Sequence, residues 1–169
     1  MAIRYENLRT GDVVSCTGRG LFAAVTRAVT DGEIVHTGII LDVHGQKLLA
    51  EMQAGGLELN SLEKLGTKKK RNIKAIHRYS RILIDDRYEL EAKIARDLRK
   101  TIEYDFKGLF EFVIPKIRNA KKKFYCSEYV FSTLKPYLGL YPLDFVKKVS
   151  PNDLYNYVKE DPHWTEVFV

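Results

Sequence analysis

Val35-His36-Thr37-Gly38-Ile39 is the stretch of sequence on which the predicted fold depends. It lies in the segment 34–43, whose many β-branched residues predict a long strand. His44-Gly45 follows as a tight turn, and residues 46–52 are typical of the returning strand. The sequence therefore predicts a β-hairpin within an antiparallel sheet.

The segments on both sides of this hairpin predict the remaining strands and helices. β-rich segments predict strands over 13–16, 57–59 and 73–79, and an edge strand over 165–169. Apolar residues at helical spacing predict helices over 21–30, 85–100, 124–138 and 151–158. Residues 109–114 fit a strand or a helix equally well. Because the strands come mostly from the N-terminal half and the main helices lie outside that block, the predicted fold class is α+β.

Two of the predicted helices have clear signals at their ends. Pro136 predicts that the third helix ends early or kinks, because proline cannot continue the helical hydrogen bonds. Ser150 is the predicted N-cap of the last helix, and Pro151 is its first residue.

The length and the cysteine content limit the class of protein. A chain of 169 residues is enough for one domain with a core, predicted over 1–169. Cys16 and Cys126 cannot form a disulfide framework, and no Cys/His spacing indicates zinc. The N-terminus lacks the pattern of a secretory signal, and no apolar run has the length of a membrane span. We therefore expect a cytoplasmic domain without metal or cofactor, in which each cysteine is a packed residue or a reactive thiol.

The excess positive charge is concentrated in two clusters. The chain carries 28 basic and 22 acidic residues, a net charge of +6. The clusters consist of Lys68, Lys69, Lys70 and Arg71, and of Lys121, Lys122 and Lys123. Such runs are more often solvated loops than binding sites, and the alternative is attraction to an anionic surface such as lipid headgroups or an acidic wall polymer. Aromatic residues are not interleaved with the runs, which disfavours nucleic acid as the partner.

Cys126 is the candidate nucleophile. It follows Phe124-Tyr125 at the predicted start of the third helix. Unpaired backbone N–H groups in the first turn of a helix stabilise a thiolate and help to hold an oxyanion. Taken alone, a cysteine at such a position is more often buried packing than a catalytic group. Cys16, on a short strand without an acid–base neighbour, is interpreted as packing.

His36 is the candidate base, and Glu51 is the residue that orients it. In the predicted strand, His36 and Gly38 share one face, and the glycine leaves space beside the imidazole. Counting from the His44-Gly45 turn places Glu51 roughly opposite His36, where its carboxylate accepts the second imidazole N–H. A glutamate exposed on an edge strand is an equally open interpretation. His77 is the reserve candidate for the base.

Several segments, taken in order, resemble a known family. They are Gly11-Asp12, Val35-His36-Thr37-Gly38-Ile39, Ala50-Glu51-Met52, Tyr104-Asp105-Phe106, Phe124-Tyr125-Cys126-Ser127-Glu128 and Ser150-Pro151-Asn152-Asp153-Leu154. The chain resembles the circularly permuted NlpC-type papain-like proteins, with the YiiX-like group as the nearest branch and lecithin retinol acyltransferase-like enzymes as more distant relatives. The resemblance extends from about Gly11 to about Leu154.

The resemblance implies a fold, a site and an activity. The fold is permuted papain-like, with the histidine strand ahead of a helix that carries the nucleophilic cysteine at its N-terminus. The site is a Cys–His–Glu arrangement of Cys126, His36 and Glu51, with the Tyr104 hydroxyl near the nucleophile to assist the oxyanion. Members of the family cleave or transfer acyl groups at amide or ester bonds, in cell-wall peptides or lipids, and need no cofactor.

The sequence leaves three hypotheses for the function. The first is a cysteine-dependent hydrolase, peptidase-like or amidase-like, or an acyltransferase, with a peptide or a lipid-like acyl substrate. It predicts that Cys126 is accessible to solvent and within hydrogen-bond reach of His36. The alternative is a non-catalytic module on the same fold that binds a lipid or a peptide. The third is a structural or assembly protein whose interface covers Cys126.

Overall fold

The main part of the structure is an antiparallel sheet with helices beside it. A computed structural model of the chain describes residues 5–62, 71–100, 103–104, 123–138 and 149–167. In these ranges the strands are β1 (Val13–Gly18), β2 (His36–Val43), β3 (Gln46–Gln53), β4 (Gly56–Ser61), β5 (Arg71–Tyr79), β6 (Glu103–Tyr104), β7 (Lys123–Phe124) and β8 (Trp164–Glu166). The α-helices are α1 (Leu21–Thr30), α2 (Ile84–Arg99), α3 (Cys126–Leu134) and α4 (Pro151–Glu160). The predicted α+β class with an antiparallel sheet is confirmed.

Six of the strands form the sheet, in the order β4-β3-β2-β1-β5-β8, and each neighbouring pair is antiparallel. The β2–β3 hairpin closes through His44 and Gly45, whose φ angles are 52° and 84°. Positive φ at both turn residues gives the strands the twist that a two-residue hairpin requires. The last strand, β8, lies at one edge of the sheet as predicted, over residues 164–166.

The ends of two helices follow their sequence signals. Ser150 caps α4, because its hydroxyl accepts from the backbone N–H of Asp153 while the Asp153 carboxylate accepts from the Ser150 N–H, each at 3.0 Å. Helix α3 ends at Leu134, and Lys135–Tyr137 continues as a 3₁₀ turn that contains Pro136. The early end of α3 agrees with the effect predicted from the proline.

Apolar residues cover both faces of the sheet. On one face, Leu90 of α2 and Val130 of α3 pack in a buried cluster with Ile39 of β2. The next residue of β2, Ile40, belongs to a second buried cluster that contains Cys16. Since side chains alternate along a strand, Ile39 and Ile40 point to opposite faces. The burial of Cys16 in this second cluster agrees with its interpretation as packing.

Some predictions concern parts of the chain that the structure does not describe. The undecided segment 109–114 lies outside the described residues. The single domain over 1–169 likewise stays a prediction. In the part of the chain that is described, each helix is too short or too polar to cross a membrane.

Candidate active site

Cys126 is the first residue of α3. The preceding Tyr125 has extended backbone angles, φ −91° and ψ 171°, so the helix starts abruptly at the cysteine. Just before it, β7 pairs in parallel with β6, and Tyr104 is the pairing partner of Phe124. The N–H groups of a first helical turn lack partners within the helix, so the thiol is attached at the positive end of the helix dipole.

The residues on either side of Cys126 hold the start of α3 in place. The Ser127 hydroxyl donates a hydrogen bond to the backbone carbonyl of Val149, which lies just ahead of α4. The Tyr125 side chain is buried, and this burial, followed by the neighbouring Glu128 carboxylate, raises the pKa of the Tyr125 hydroxyl. The Tyr-Cys-Ser-Glu block is thus tied to the chain that enters α4.

His36 and Glu51 meet on the two strands of the hairpin. His36 Nε2 lies 2.6 Å from Glu51 Oε2, and the glutamate is completely buried. The strand register pairs Ile39 with Ala50, so Glu51 lies diagonal to His36 rather than directly opposite it. Glu51 is on an interior strand of the sheet, and the alternative of an exposed edge-strand glutamate is therefore wrong.

Gly38 serves a purpose that differs from the predicted one. A Cβ atom at this position would lie 2.9 Å from the backbone oxygen of Ala50 and 2.8 Å from Leu49 Cδ1. The space at Gly38 is therefore filled by β3, and the predicted gap beside the imidazole is wrong. The missing side chain instead allows β2 and β3 to approach closely where His36 and Glu51 meet.

The Cys126 thiol interacts with the His36 imidazole and lies beside Thr37. Burial raises the pKa of this thiol, but the charge and hydrogen bond of His36, together with the neighbouring polar groups of Thr37, outweigh burial and lower the pKa below its ordinary value. Nε2 of His36 is bonded to the Glu51 carboxylate, so Nδ1 is the ring nitrogen that is available to the Cys126 sulfur. A hydrogen-bonded chain thus runs from thiol through imidazole to carboxylate.

Two residues of this arrangement were missed by sequence reasoning. The Asn60 side-chain amide donates to Glu51 Oε1 at 3.0 Å and to Glu58 Oε2 at 3.4 Å. A partial signal for Asn60 was present, because Glu58 and Asn60 alternate on β4 beside the strand that carries Glu51. Nothing in the sequence pointed to a role for Thr37, apart from its position next to His36.

Tyr104 and the basic clusters are described only in part. The backbone of Tyr104 lies in β6, while its side chain is outside the described part of the chain. Residues 68–70, 121 and 122 also lie outside it, and Arg71 and Lys123 are described as backbone alone. The oxyanion role of Tyr104 and the anionic surface therefore stay predictions.

Two expectations about the site need correction. Cys126 has 3% of its surface exposed, so the expected solvent-accessible thiol is wrong. Met52, Tyr125 and Tyr129 pack with it in a buried cluster, which explains the low exposure. The reserve base, His77, packs its ring against a tyrosine of α4 and is not among the groups that shift the pKa of Cys126.

Comparison with solved structures shows a fold neighbour for this chain. It is similar to the crystal structure of metalloprotein yiiX from Escherichia coli O157:H7, DUF1105. The TM-score is 0.64 at 18% sequence identity, over 95% of this chain and 96% of that chain. At this identity the likeness shows a fold shared with the YiiX protein, and membership of the wider NlpC-type and acyltransferase-like group stays a prediction. No protein-family model and no curated protein matches the sequence.

Proposed function

We propose that the chain is a cysteine-dependent hydrolase or acyltransferase that acts on an amide or ester bond. The observation that supports this most directly is the buried hydrogen-bonded chain from Cys126 through His36 to Glu51. A thiol whose pKa is lowered by a neighbouring imidazole is a nucleophile near neutral pH. A carboxylate on the far nitrogen holds the imidazole in the tautomer and orientation that this chemistry needs. The permuted papain-like order, with the histidine strand ahead of the cysteine helix, is part of the proposal.

The proposed reaction begins when the Cys126 thiolate attacks the carbonyl carbon and forms a carbon–sulfur bond. Backbone N–H groups at the start of α3, with the Tyr104 hydroxyl, stabilise the negative oxygen of the tetrahedral intermediate. His36 gives its Nδ1 proton to the leaving amine or alcohol as the carbon–nitrogen or carbon–oxygen bond breaks. An acyl thioester on Cys126 remains. Water or another acceptor then gives a proton to His36, attacks the thioester and releases the thiolate.

A metal is not part of the proposed reaction. The E. coli neighbour is described as a metalloprotein. Within the described ranges of this chain, no three His, Cys, Asp or Glu side chains lie close enough together to hold a metal ion. Glu51, the carboxylate beside His36, already accepts from both His36 and Asn60. The donor set at this site therefore does not fit a metal centre.

A non-catalytic module that binds a lipid or a peptide is the second candidate function. It is favoured by the low exposure of Cys126 and by the buried cluster of Met52, Tyr125 and Tyr129 around it. In this alternative the thiol is a packing residue, and the two basic clusters guide an anionic ligand or surface to the protein.

The experiment that separates the two candidates is the pH dependence of Cys126 alkylation by iodoacetamide. A Cys16→Ser background leaves a single thiol in the chain. We expect an alkylation midpoint below the ordinary thiol pKa, and a rate near neutral pH at least about tenfold lower in His36→Ala, because the imidazole that stabilises the thiolate is gone. His44→Asn, which changes an exposed turn histidine, is the matched control. A rate that is ordinary for a thiol and unchanged by His36→Ala would favour the binding module.

A second readout tests acyl transfer itself. After incubation with p-nitrophenyl acetate, the proposed enzyme carries an acetyl thioester on Cys126 that mass spectrometry detects. Cys126→Ala lacks this adduct, and His36→Ala forms it more slowly. An acetyl group found only on lysines would count against the proposed function.

A further inference from the structure

Asn60 lies next in line after the three residues of the proposed catalytic chain. It is on β4, while Glu51 is on β3 and His36 is on β2, so the three side chains come from adjacent strands. The Asn60 amide donates to Glu51 Oε1 at 3.0 Å, and Glu51 Oε2 lies 2.6 Å from His36 Nε2. Each oxygen of the Glu51 carboxylate therefore has a polar partner, one on each neighbouring strand.

The burial of Glu51 makes these two partners important for its charge. Glu51 is 0% exposed and lies between Ala50 and Met52, which are also buried. An ionised carboxylate in such surroundings is costly unless hydrogen-bond donors surround it. Hydrogen bonds to the charged form of a carboxylate favour that form, and Asn60 supplies one of them.

A second carboxylate beside Glu51 adds to the need for the Asn60 amide. Glu58 is the direct register partner of Glu51 across β3 and β4. Like charges placed directly opposite each other in a sheet are destabilising. The Asn60 amide also reaches Glu58 Oε2, at 3.4 Å, so one side chain donates to both carboxylates. A primary amide has two N–H donors and no titratable group, which suits it to this position.

We infer that Asn60 is a positioning residue for the Cys126–His36–Glu51 chain, because it holds the ionised Glu51 carboxylate with Oε2 facing His36. The inference rests on the proposed function, since it gives Asn60 a part in the reactivity of Cys126 as well as in the stability of the sheet. Asn60 acts through Glu51 and His36, and the reacting atoms belong to Cys126.

The test compares Asn60→Ala, Asn60→Asp and Glu58→Gln in the Cys16→Ser background. The alkylation rate of Cys126 by iodoacetamide is measured between about pH 5 and about pH 9, which covers the titration of imidazole and thiol. Asn60→Ala removes the donor, and Asn60→Asp replaces it by a carboxylate of the same shape. We expect both to move the midpoint of the alkylation profile up by about one pH unit, which slows alkylation at mildly acidic pH about tenfold.

Glu58→Gln is the matched control, because it removes the charge of the other carboxylate that the Asn60 amide reaches and keeps the bond to Glu51. We expect no upward shift of the alkylation midpoint, because removing the Glu58 charge relieves its repulsion of the ionised Glu51 carboxylate. Urea unfolding of each variant shows whether a change in reactivity comes from loss of the fold. If Asn60→Ala does not fold, the isosteric Asn60→Asp carries the test.

The possible outcomes separate this inference from the proposed function. An alkylation profile that stays the same in the folded Asn60 variants, even with a lower urea midpoint, shows a structural role alone and overturns the inference. A wild-type profile that depends on His36 but not on Asn60 overturns the inference and leaves the proposed function standing. A wild-type thiol that is ordinary and insensitive to His36→Ala overturns both.

Discussion

Two histidines are buried in the same sheet, His36 on β2 and His77 on β5, and they differ in their partners. His36 lies between the Glu51 carboxylate, at 2.6 Å, and the Cys126 thiol. His77 packs edge-on against Tyr155, and its Nδ1 has no hydrogen-bond partner among the described residues. Burial lowers the pKa of His77, which keeps that imidazole neutral. Burial alone thus makes a histidine a packing residue, whereas a carboxylate on one ring nitrogen and a thiol at the other make it an acid–base group.

The largest effect is expected from removing the carboxylate that distinguishes His36 from His77. Glu51→Gln keeps the shape of the side chain and removes its charge. We expect the alkylation rate of Cys126 near neutral pH to fall roughly 100-fold, because the imidazole loses the group that orients it. We also expect the free energy of unfolding to fall by about 3 kcal/mol, because a buried pair that loses one partner leaves the other uncompensated. Iodoacetamide kinetics and urea unfolding measure the two quantities.

Glu58→Gln provides the control for this prediction. It is the same substitution at the directly paired position on β4, where the side chain is exposed. We expect a change in unfolding free energy within about 0.5 kcal/mol, as is usual for exposed sites. Equal effects at Glu51 and Glu58 would mean that the buried carboxylate contributes nothing specific to His36.

Local signals in the sequence predicted most of the fold. Turn and cap residues act within a few positions, so His44-Gly45 identified the β2–β3 hairpin and Ser150 identified the start of α4. The pairing of His36 with Glu51 followed from the same hairpin, because a short turn brings the two strands together. The hairpin, the start of α4 and the His36–Glu51 pair are thus determined by residues that lie close together in the sequence.

Other contacts of the site depend on tertiary structure and could not be predicted in this way. Asn60 reaches Glu51 because β4 pairs with β3 in one particular register. The position of the Cys126 thiol beside His36 and Thr37 depends on how α3 packs on the sheet. The close approach of β3 to Gly38 likewise follows from the register. From the sequence, the glycine was expected to leave open space beside His36 instead.

An intermediate effect is expected at Gly38, where the backbone rather than a side chain supports His36. In Gly38→Ala the added Cβ would lie 2.9 Å from the Ala50 backbone oxygen, which forces β2 and β3 apart. We expect the free energy of unfolding to fall by about 2 kcal/mol, as for other overpacked sites. Alkylation of Cys126 slows as well, because His36 and Glu51 no longer meet at the same distance. Urea unfolding and iodoacetamide kinetics again provide the measurements.

Gly55→Ala is the matched control for the glycine substitution. Gly55 is exposed, and the nearest atom to an added Cβ is the end of the flexible Glu58 side chain, at 3.3 Å. That side chain moves at little cost, so we expect a change within about 0.5 kcal/mol. A loss at Gly55 as large as that at Gly38 would indicate a general cost of alanine in these strands and turns, and would remove the link to His36.

The smallest effect is expected at His77, and it depends on pH. Burial, opposed by Glu166 and reinforced by Lys159, lowers the pKa of His77 in the folded protein below its ordinary value of 6.5. The unfolded chain then binds this proton at a higher pH than the folded chain does. Stability is therefore complete above about pH 6.5 and decreases as the pH falls from there toward the folded pKa.

His77→Phe keeps an aromatic ring against Tyr155 and removes the titrating group. We expect the wild type to lose more unfolding free energy than this variant between neutral pH and about pH 5, by less than about 1 kcal/mol, in urea titrations at each pH. His36 is present in both proteins, so its own titration cancels in the comparison, and His44→Asn, at an exposed turn, is the control for replacing a histidine. If the unfolding free energy of His77→Phe falls with pH as much as that of the wild type, then protonation of His77 does not destabilise the folded protein. The two buried histidines would then respond to burial in the same way. The Glu51 carboxylate would no longer account for the difference between His36 as a base and His77 as a packing residue.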